Sequence, residues 1–287
     1  MSFYGILCIH SRWYKTEGME MKKRFLLLFV LLVACIVLCG CETPVSRWID
    51  RPNPYVCVRQ ANADGSYLTY DYDGEGNRTQ ETAYTADGTV QYRTEYKYSH
   101  DSGWMVEESR YAADDTLEWR AELEYNGGMC ISRTTYGADG TQTQAVKTDY
   151  GENDWSVKEC TYDADNKLTA WCDITRDENG KETRRTFHFA DGSPDLVTEF
   201  EYDGNGNNTK ITSYTGDICT GWHELTYDDD NRKSSDTQYS ADGTEECAWR
   251  YTYDKKSGEI LQVDVTGSDM PLYQYEYLRL SEYRKQK

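Results

Sequence analysis

The sequence predicts an all-β protein built from tandem antiparallel β-hairpins of about 26 residues each, forming a curled, spiralling meander sheet or a partly closed tube. Composition, a two-phase tyrosine repeat and strict side-chain alternation lead to this prediction. The chain is polar, with a mean hydropathy of −0.83, yet it carries 25 Tyr and 8 Trp. Disordered chains are poor in aromatic residues, so this composition favours wide, thin β-sheet.

Two turn-like motifs repeat along the chain in alternation. The first is a tyrosine followed by Asp, Gly or Asn, as at Tyr72, Tyr98, Tyr125, Tyr150, Tyr202, Tyr227 and Tyr253, with Arg176 in the place of one missing tyrosine. The second is Tyr-x-Ala-Asp-Gly-Thr or a close variant, at Tyr84, Tyr111, Tyr136, Tyr162, His188, Tyr214 and Tyr239. Both motifs return every 25 to 27 residues, the expected mark of a repeat architecture.

The segments between the turns alternate like half-buried strands. Leu117, Trp119, Ala121, Leu123 and Tyr125 are separated by polar residues, which is the period of two that a strand requires. Asp-Gly and Asn-Gly pairs supply the positive φ of tight hairpin turns. We therefore expect two strands of about eight residues and two turns in each unit, and 16 or 17 strands in all. Strand twist should curl so wide a sheet on itself.

The N-terminal region has the features of a secretion signal. Lys22-Lys23-Arg24 precedes an apolar run from Phe25, and the run ends in Leu38-Cys39-Gly40-Cys41, which resembles the lipobox of bacterial lipoproteins. The resemblance implies lipidation of Cys41, removal of the residues before it, and attachment to the cell membrane facing outside the cytoplasm.

The predicted organisation follows from these features. We expect residues 1–20 to lie upstream of the true start, 21–40 to be the signal peptide, and 41–54 to be a lipidated tether. Residues 55–278 form the repeat domain, and 279–287 a basic C-terminal tail.

The turn motif resembles a known repeat. Tyr70-Asp71-Tyr72-Asp73-Gly74-Glu75-Gly76 and Tyr202-Asp203-Gly204-Asn205-Gly206 are similar to the YD repeats of Rhs and teneurin proteins. The resemblance implies β-hairpins that wind into a spiralling shell, which in large members of the family encloses a toxic domain or presents an adhesive surface. This chain is much shorter and no cargo follows Asp269, so adhesion or scaffolding is expected rather than encapsulation.

Charge and motifs exclude several function classes. Removal of residues 1–40 leaves 26 basic and 48 acidic side chains, about −22 in net charge, which argues against nucleic-acid binding. His100, His188 and His223 are widely spaced, without metal-ligand spacing. The acidic turn that begins at Asp71 starts like a calcium loop, but Thr82 stands where an EF-hand needs Glu, and plain turn chemistry is favoured. We expect no enzyme activity, cofactor or metal.

Six cysteines besides Cys41 leave disulfides open, because an even number in an exported protein suggests pairing. The neighbours Cys160 and Cys172 are predicted to lie on opposite faces of the sheet. Their pairing is therefore disfavoured, and some of the six are expected to be thiols.

Two functions remain, both non-enzymatic. One is scaffolding or adhesion through an unknown protein partner. The alternative is binding of carbohydrate or cell wall through Tyr and Trp ladders, since aromatic rings stack on sugars, with Trp119 and Trp249 as the candidate ligand-binding residues.

Overall fold

The computed structural model describes residues 54–151, 153–267 and 271–286, which all belong to one compact unit, Ser46–Lys287. These residues form eighteen strands and one short helix. The strands are β1 Tyr55–Asn62, β2 Tyr67–Tyr72, β3 Arg78–Tyr84, β4 Val90–Tyr98, β5 Met105–Ala112, β6 Leu117–Asn126, β7 Met129–Gly137, β8 Gln142–Tyr150, β9 Ser156–Asp163, β10 Leu168–Arg176, β11 Glu182–Phe189, β12 Leu196–Tyr202, β13 Asn208–Thr215, β14 Ile218–Tyr227, β15 Lys233–Ser240, β16 Glu245–Tyr253, β17 Ile260–Val265 and β18 Tyr273–Arg279. The helix is α1, Leu280–Gln286. The all-β hairpin meander is confirmed.

The sheet is closed, which corrects the expectation of a partly closed tube. Every strand pairs antiparallel with its chain neighbours, and β1 also pairs with β18 from Tyr55↔Arg279 to Asn62↔Tyr273. The strand count is eighteen rather than 16 or 17. Accumulated twist brings the first and last strands together, and pairing them removes both exposed edges. The result is a closed β-barrel.

The turns have the chemistry that the motifs predict. In the first turn of the Tyr-Asp-Gly type, the Asp73 N–H donates to the Asn77 carbonyl (2.9 Å), and Gly76 has φ of 93°. The Asp73 carboxylate accepts hydrogen bonds from the Glu75 and Asn77 N–H groups. This is a tight turn closed by a glycine bulge, which needs a positive φ at one position. The acids of these turns therefore bind their own backbone.

Strand register assigns side chains to two faces. On β6, Trp119, Ala121 and Leu123 share the inner face, on which Ala121 and Leu123 are buried, and the charged residues between them lie outside. Cys160 pairs with Trp171 on the outer face, whereas Cys172 pairs with Glu159 on the inner face. The prediction that Cys160 and Cys172 point to opposite sides is confirmed.

The C-terminal helix packs beside the start of the sheet. Tyr283 of α1 is buried; its hydroxyl donates to the Asp71 carboxylate (2.9 Å) and accepts the Tyr72 N–H (3.0 Å). The Leu280 N–H donates to the Pro54 carbonyl (2.6 Å). Most of the segment expected to be a basic tail is therefore helix. Across the described ranges, no helix has the length and apolar character needed to span a membrane.

Candidate functional site: two aromatic rows on opposite faces

The two tyrosine motifs form two rows, one on each face of the closed sheet. The inner row lies beside the Tyr-Asp-Gly turns and consists of Tyr72, Tyr98, Tyr125, Tyr150, Arg176, Tyr202, Tyr227, Tyr253 and Tyr277. The outer row lies near the Ala-Asp-Gly turns and consists of Tyr84, Tyr111, Tyr136, Tyr162, His188, Tyr214 and Tyr239. The two sequence motifs thus correspond to two separate rows on opposite faces.

Each residue of the inner row bridges a gap between two strands. The β13–β14 ladder ends at Lys210↔Glu224. Three residues further along β14, the Tyr227 hydroxyl donates to the Asn208 carbonyl on β13 (2.7 Å). The same geometry recurs in every unit, from Tyr72 on the Cys57 carbonyl (2.6 Å) to Tyr277 on the Ile260 carbonyl (2.8 Å). The inner row thus satisfies carbonyls that the ladder leaves unpaired.

Arg176 performs the same task with a different group. Its Nε donates to the Ser156 carbonyl (3.2 Å) and its terminal nitrogen donates to the Ser156 hydroxyl (2.9 Å). A second terminal nitrogen donates to the Gly180 carbonyl (3.1 Å). The position therefore requires a long side chain that ends in a hydrogen-bond donor, rather than a tyrosine ring.

The inner face is partly shielded from solvent, and several of its charged groups form ion pairs. Burial raises the pKa of Tyr72 and of Tyr253 to about 12. Glu108 accepts from Arg133 (2.9 Å), and Glu81 lies 3.3 Å from Arg78. Each of these two carboxylates therefore has a cationic partner on the inner face.

The most elaborate inner cluster surrounds Asp236. Burial alone would raise the pKa of the Asp236 carboxyl, but contacts with His223 (2.8 Å) and Lys233 (3.4 Å) hold it below the usual value. The His223 ring stacks on Trp249, with centroids 6.0 Å apart.

The outer row consists of half-buried rings covered by a neighbour from the preceding strand. Arginines lie over Tyr111 and Tyr136, 4.7 and 5.0 Å from the ring centroids. Elsewhere the neighbour is aromatic, as in the stacked pairs Trp171–His188 (4.9 Å) and Trp222–Tyr239 (5.3 Å). Tyr, Trp and Arg are the residue types enriched in protein interfaces. The outer row is thus a banded aromatic and cationic surface around the sheet.

The predicted ligand-binding residues lie on the inner face. Trp249 is 4% exposed and stacked on His223. Trp119 is half-buried, with the Arg133 guanidinium 5.8 Å from its ring centroid. Cys41, the predicted lipidation site, lies outside the described residues.

The outer tryptophans Trp171 and Trp222 were missed from the sequence. A signal was present: Trp171 stands between Ala170 and Cys172, on the polar parity of its strand. A tryptophan on the polar parity of a strand faces solvent and is the stronger candidate for a contact with another molecule.

Metal and thiol chemistry find no support among the described ranges. No group of three or more His, Cys, Asp or Glu residues is placed to hold a metal ion there. His188 is flanked by the carboxylates of Asp173 (3.2 Å) and Asp195 (3.0 Å). Cys57, Cys160, Cys172 and Cys219 are thiols. Burial raises the pKa of the Cys57 and Cys172 thiols to about 12, which makes them poor nucleophiles at neutral pH.

Comparison with known proteins gives only remote likeness. No protein-family model and no curated protein sequence matches the chain. Among solved structures, a porin-like protein from Bacteroides uniformis aligns with 79% of this chain and 98% of its own, at 10% identity and a TM-score of 0.43. The TcdB2–TccC3 complex aligns with 77% of this chain and 14% of its own, at 12% identity and a TM-score of 0.37. A protein of unknown function from Bacteroides fragilis aligns with 52% of this chain and 93% of its own, at 12% identity and a TM-score of 0.23. These values assign no family, and the likeness to YD repeats rests on the motif.

Proposed function

We propose that the chain is a non-enzymatic repeat lipoprotein, anchored in the membrane by a lipid on Cys41 and facing outside the cytoplasm, that acts in adhesion or scaffolding by binding a protein. The observation that carries the proposal is the outer row. Tyrosine rings lie there flat under arginines, as at Tyr111 and Tyr136, and side chains held in this way lose little conformational freedom when a partner binds.

Charge supports a selective partner. The chain has a formal net charge of −19, so an acidic partner or nucleic acid is repelled. On the outer face the cations are already paired with acids, as in Arg184–Glu199 (2.6 Å) and Lys97–Glu107 (2.6 Å). The exposed aromatic area between these pairs is therefore the stronger source of affinity.

Site-specific photo-crosslinking in intact cells tests this proposal. Benzoylphenylalanine replaces Tyr136 on the outer face, and a matched control replaces Tyr92 on the inner face, whose ring also lies under an arginine (Arg110, 3.4 Å). We expect a discrete protein adduct from position 136 alone. Equal labelling from both positions, or none from either, would refute protein binding by the outer row.

Carbohydrate binding is the second candidate, favoured by the stacked Trp222–Tyr239 pair on the outer face. Sugar rings stack on accessible aromatic faces, and Trp249 offers little accessible face. On a glycan array, saturable binding that Trp222→Ala abolishes and Trp249→Ala retains would favour this candidate. If binding is lost only in Trp249→Ala or Trp119→Ala, the carbohydrate site lies on the inner face instead.

A further inference from the structure

The weakest ladder of the closed sheet lies between β17 and β18. Only Gln262↔Gln274 and Val263↔Tyr273 are paired there, whereas every other pair of neighbouring strands within the described ranges has at least three paired positions. Beyond Gln262 the two strands diverge, and the Tyr277 hydroxyl reaches across to the Ile260 carbonyl. The backbone ladder at this joint, which we call the seam, is therefore the shortest in the described part of the sheet.

A crevice of about 250 Å³ lies beside this seam. It is lined by Arg59, Ala61, Leu261, Gln262, Gln274, Tyr275 and Glu276. Ala61 is opposite Gln274, and its small side chain leaves room beside the Arg59–Glu276 pair on the same face. Leu261 is 39% exposed, although it is one of the large apolar side chains of the chain. The crevice thus combines room, an apolar wall and a polar rim.

The polar rim is balanced in charge and rich in both donors and acceptors. Arg59 donates to Glu276 (2.9 Å), and its guanidinium lies 4.6 Å from the centroid of the Tyr67 ring. The Gln274 amide donates to the Gln262 amide oxygen (3.3 Å), and Gln262 donates in turn to Asp264 (2.8 Å). The Arg59–Glu276 ion pair neutralises itself, so the residues that line the crevice carry no net charge.

We propose that this crevice, which we call the seam crevice, binds a neutral polyhydroxylated ligand, namely a sugar unit. Amide side chains both donate and accept, as hydroxyl groups do, and an arginine–carboxylate pair extends the same pattern. Leu261, which is 39% exposed, offers the apolar contact that the C–H face of a sugar needs. The seam crevice uses no ring of the outer row, so it goes beyond the proposed function and either can fail alone.

Saturation-transfer NMR with the purified full chain in a sugar-free detergent tests the seam crevice. The probes are glucose, galactose, mannose, N-acetylglucosamine, lactose and maltose. We expect at least one of them to bind, Gln274→Ala to weaken binding at least about tenfold by removing hydrogen bonds to hydroxyls, and Ala61→Leu to block it by filling the space. Gln274 is exposed, so its replacement leaves the fold intact.

Two controls decide the outcome. Gln91→Ala removes another exposed strand glutamine, and Trp222→Ala alters the outer row; both variants should bind as the unaltered chain does. The proposal is overturned if no probe binds, if binding survives both changes in the seam crevice, or if Trp222→Ala abolishes it. The cross-linking test at position 136 is unaffected by any of these results.

Discussion

Removing a single inner-row hydroxyl should destabilise the fold by a measurable amount. In Tyr227→Phe the ring stays, but the Asn208 carbonyl loses the donor now 2.7 Å away. The ladder between the two strands has already ended at Lys210↔Glu224, so no backbone N–H of the ladder takes over. An unsatisfied carbonyl costs about 1–3 kcal/mol when buried. Because Tyr227 is half-buried and water reaches part of the gap, we expect about 1–2 kcal/mol.

Urea unfolding followed by tryptophan fluorescence measures this difference. The matched control is Tyr111→Phe in the outer row, where Arg93 stacks on the ring face, and it should change stability by less than about 0.5 kcal/mol. Tyr227→Arg should recover part of the loss, since Arg176 bridges the equivalent gap. Equal effects of the two phenylalanine variants would refute the bridging role.

Four further outcomes follow from the same geometry. Burial raises the pKa of Tyr253 to about 12, against about 10 in an unfolded chain. The stability that the buried neutral hydroxyl contributes is therefore present below pH 10 and is lost as the pH rises towards 12. Alkaline titration followed by circular dichroism measures this loss. Gly180→Ala should lower the free energy of unfolding by at least about 2 kcal/mol, because φ is +81° and the new methyl group would lie 2.3 Å from Trp155. Gly192→Ala has a similar φ of +80° but open space around it, and should lower the free energy by about 1 kcal/mol. Thermal unfolding of the two variants measures the difference. Deleting one 26-residue unit should leave a folded ring, but deleting 13 residues should not, because an odd number of strands sets β1 and β18 parallel; soluble yield and far-UV spectra test this. Cys41→Ser should release the protein from membranes in cell fractionation, and retention would indicate an uncleaved anchor.

The sequence was most informative where structure is local. Turn chemistry at Asp73 and Gly76 and the alternation along β6 need only neighbouring residues, and both were predictable. The opposite placement of Cys160 and Cys172 followed from the same alternation. Closure was not predictable, because no local pattern in β1 or β18 marks them as partners.

The sequence did not predict that the two rows lie on opposite faces, because the strand register shifts by one residue beside each turn. Asp71 pairs with Gln80, but the next residue, Tyr72, pairs with Arg78. A bulge of one residue reverses the side on which later side chains appear. Counting alternate residues through the turn therefore places Tyr84 with Tyr72, when the two lie on opposite faces. Trp119 and Trp249 were chosen for their aromatic rings, although the apolar parity of their own strands already pointed to the inner face.

Pairing of the first strand with the last joins residues far apart in sequence, as in the contact between Arg59 and Glu276, 217 positions apart. Hairpins close short loops and form early. The pairing of β1 with β18 closes a very long loop, and its entropic cost is offset only after the strands between them have formed. Until then the chain carries two bare strand edges, each able to pair with a second molecule. The slowest step of folding and the greatest danger of aggregation should therefore both fall at the junction of β1 and β18.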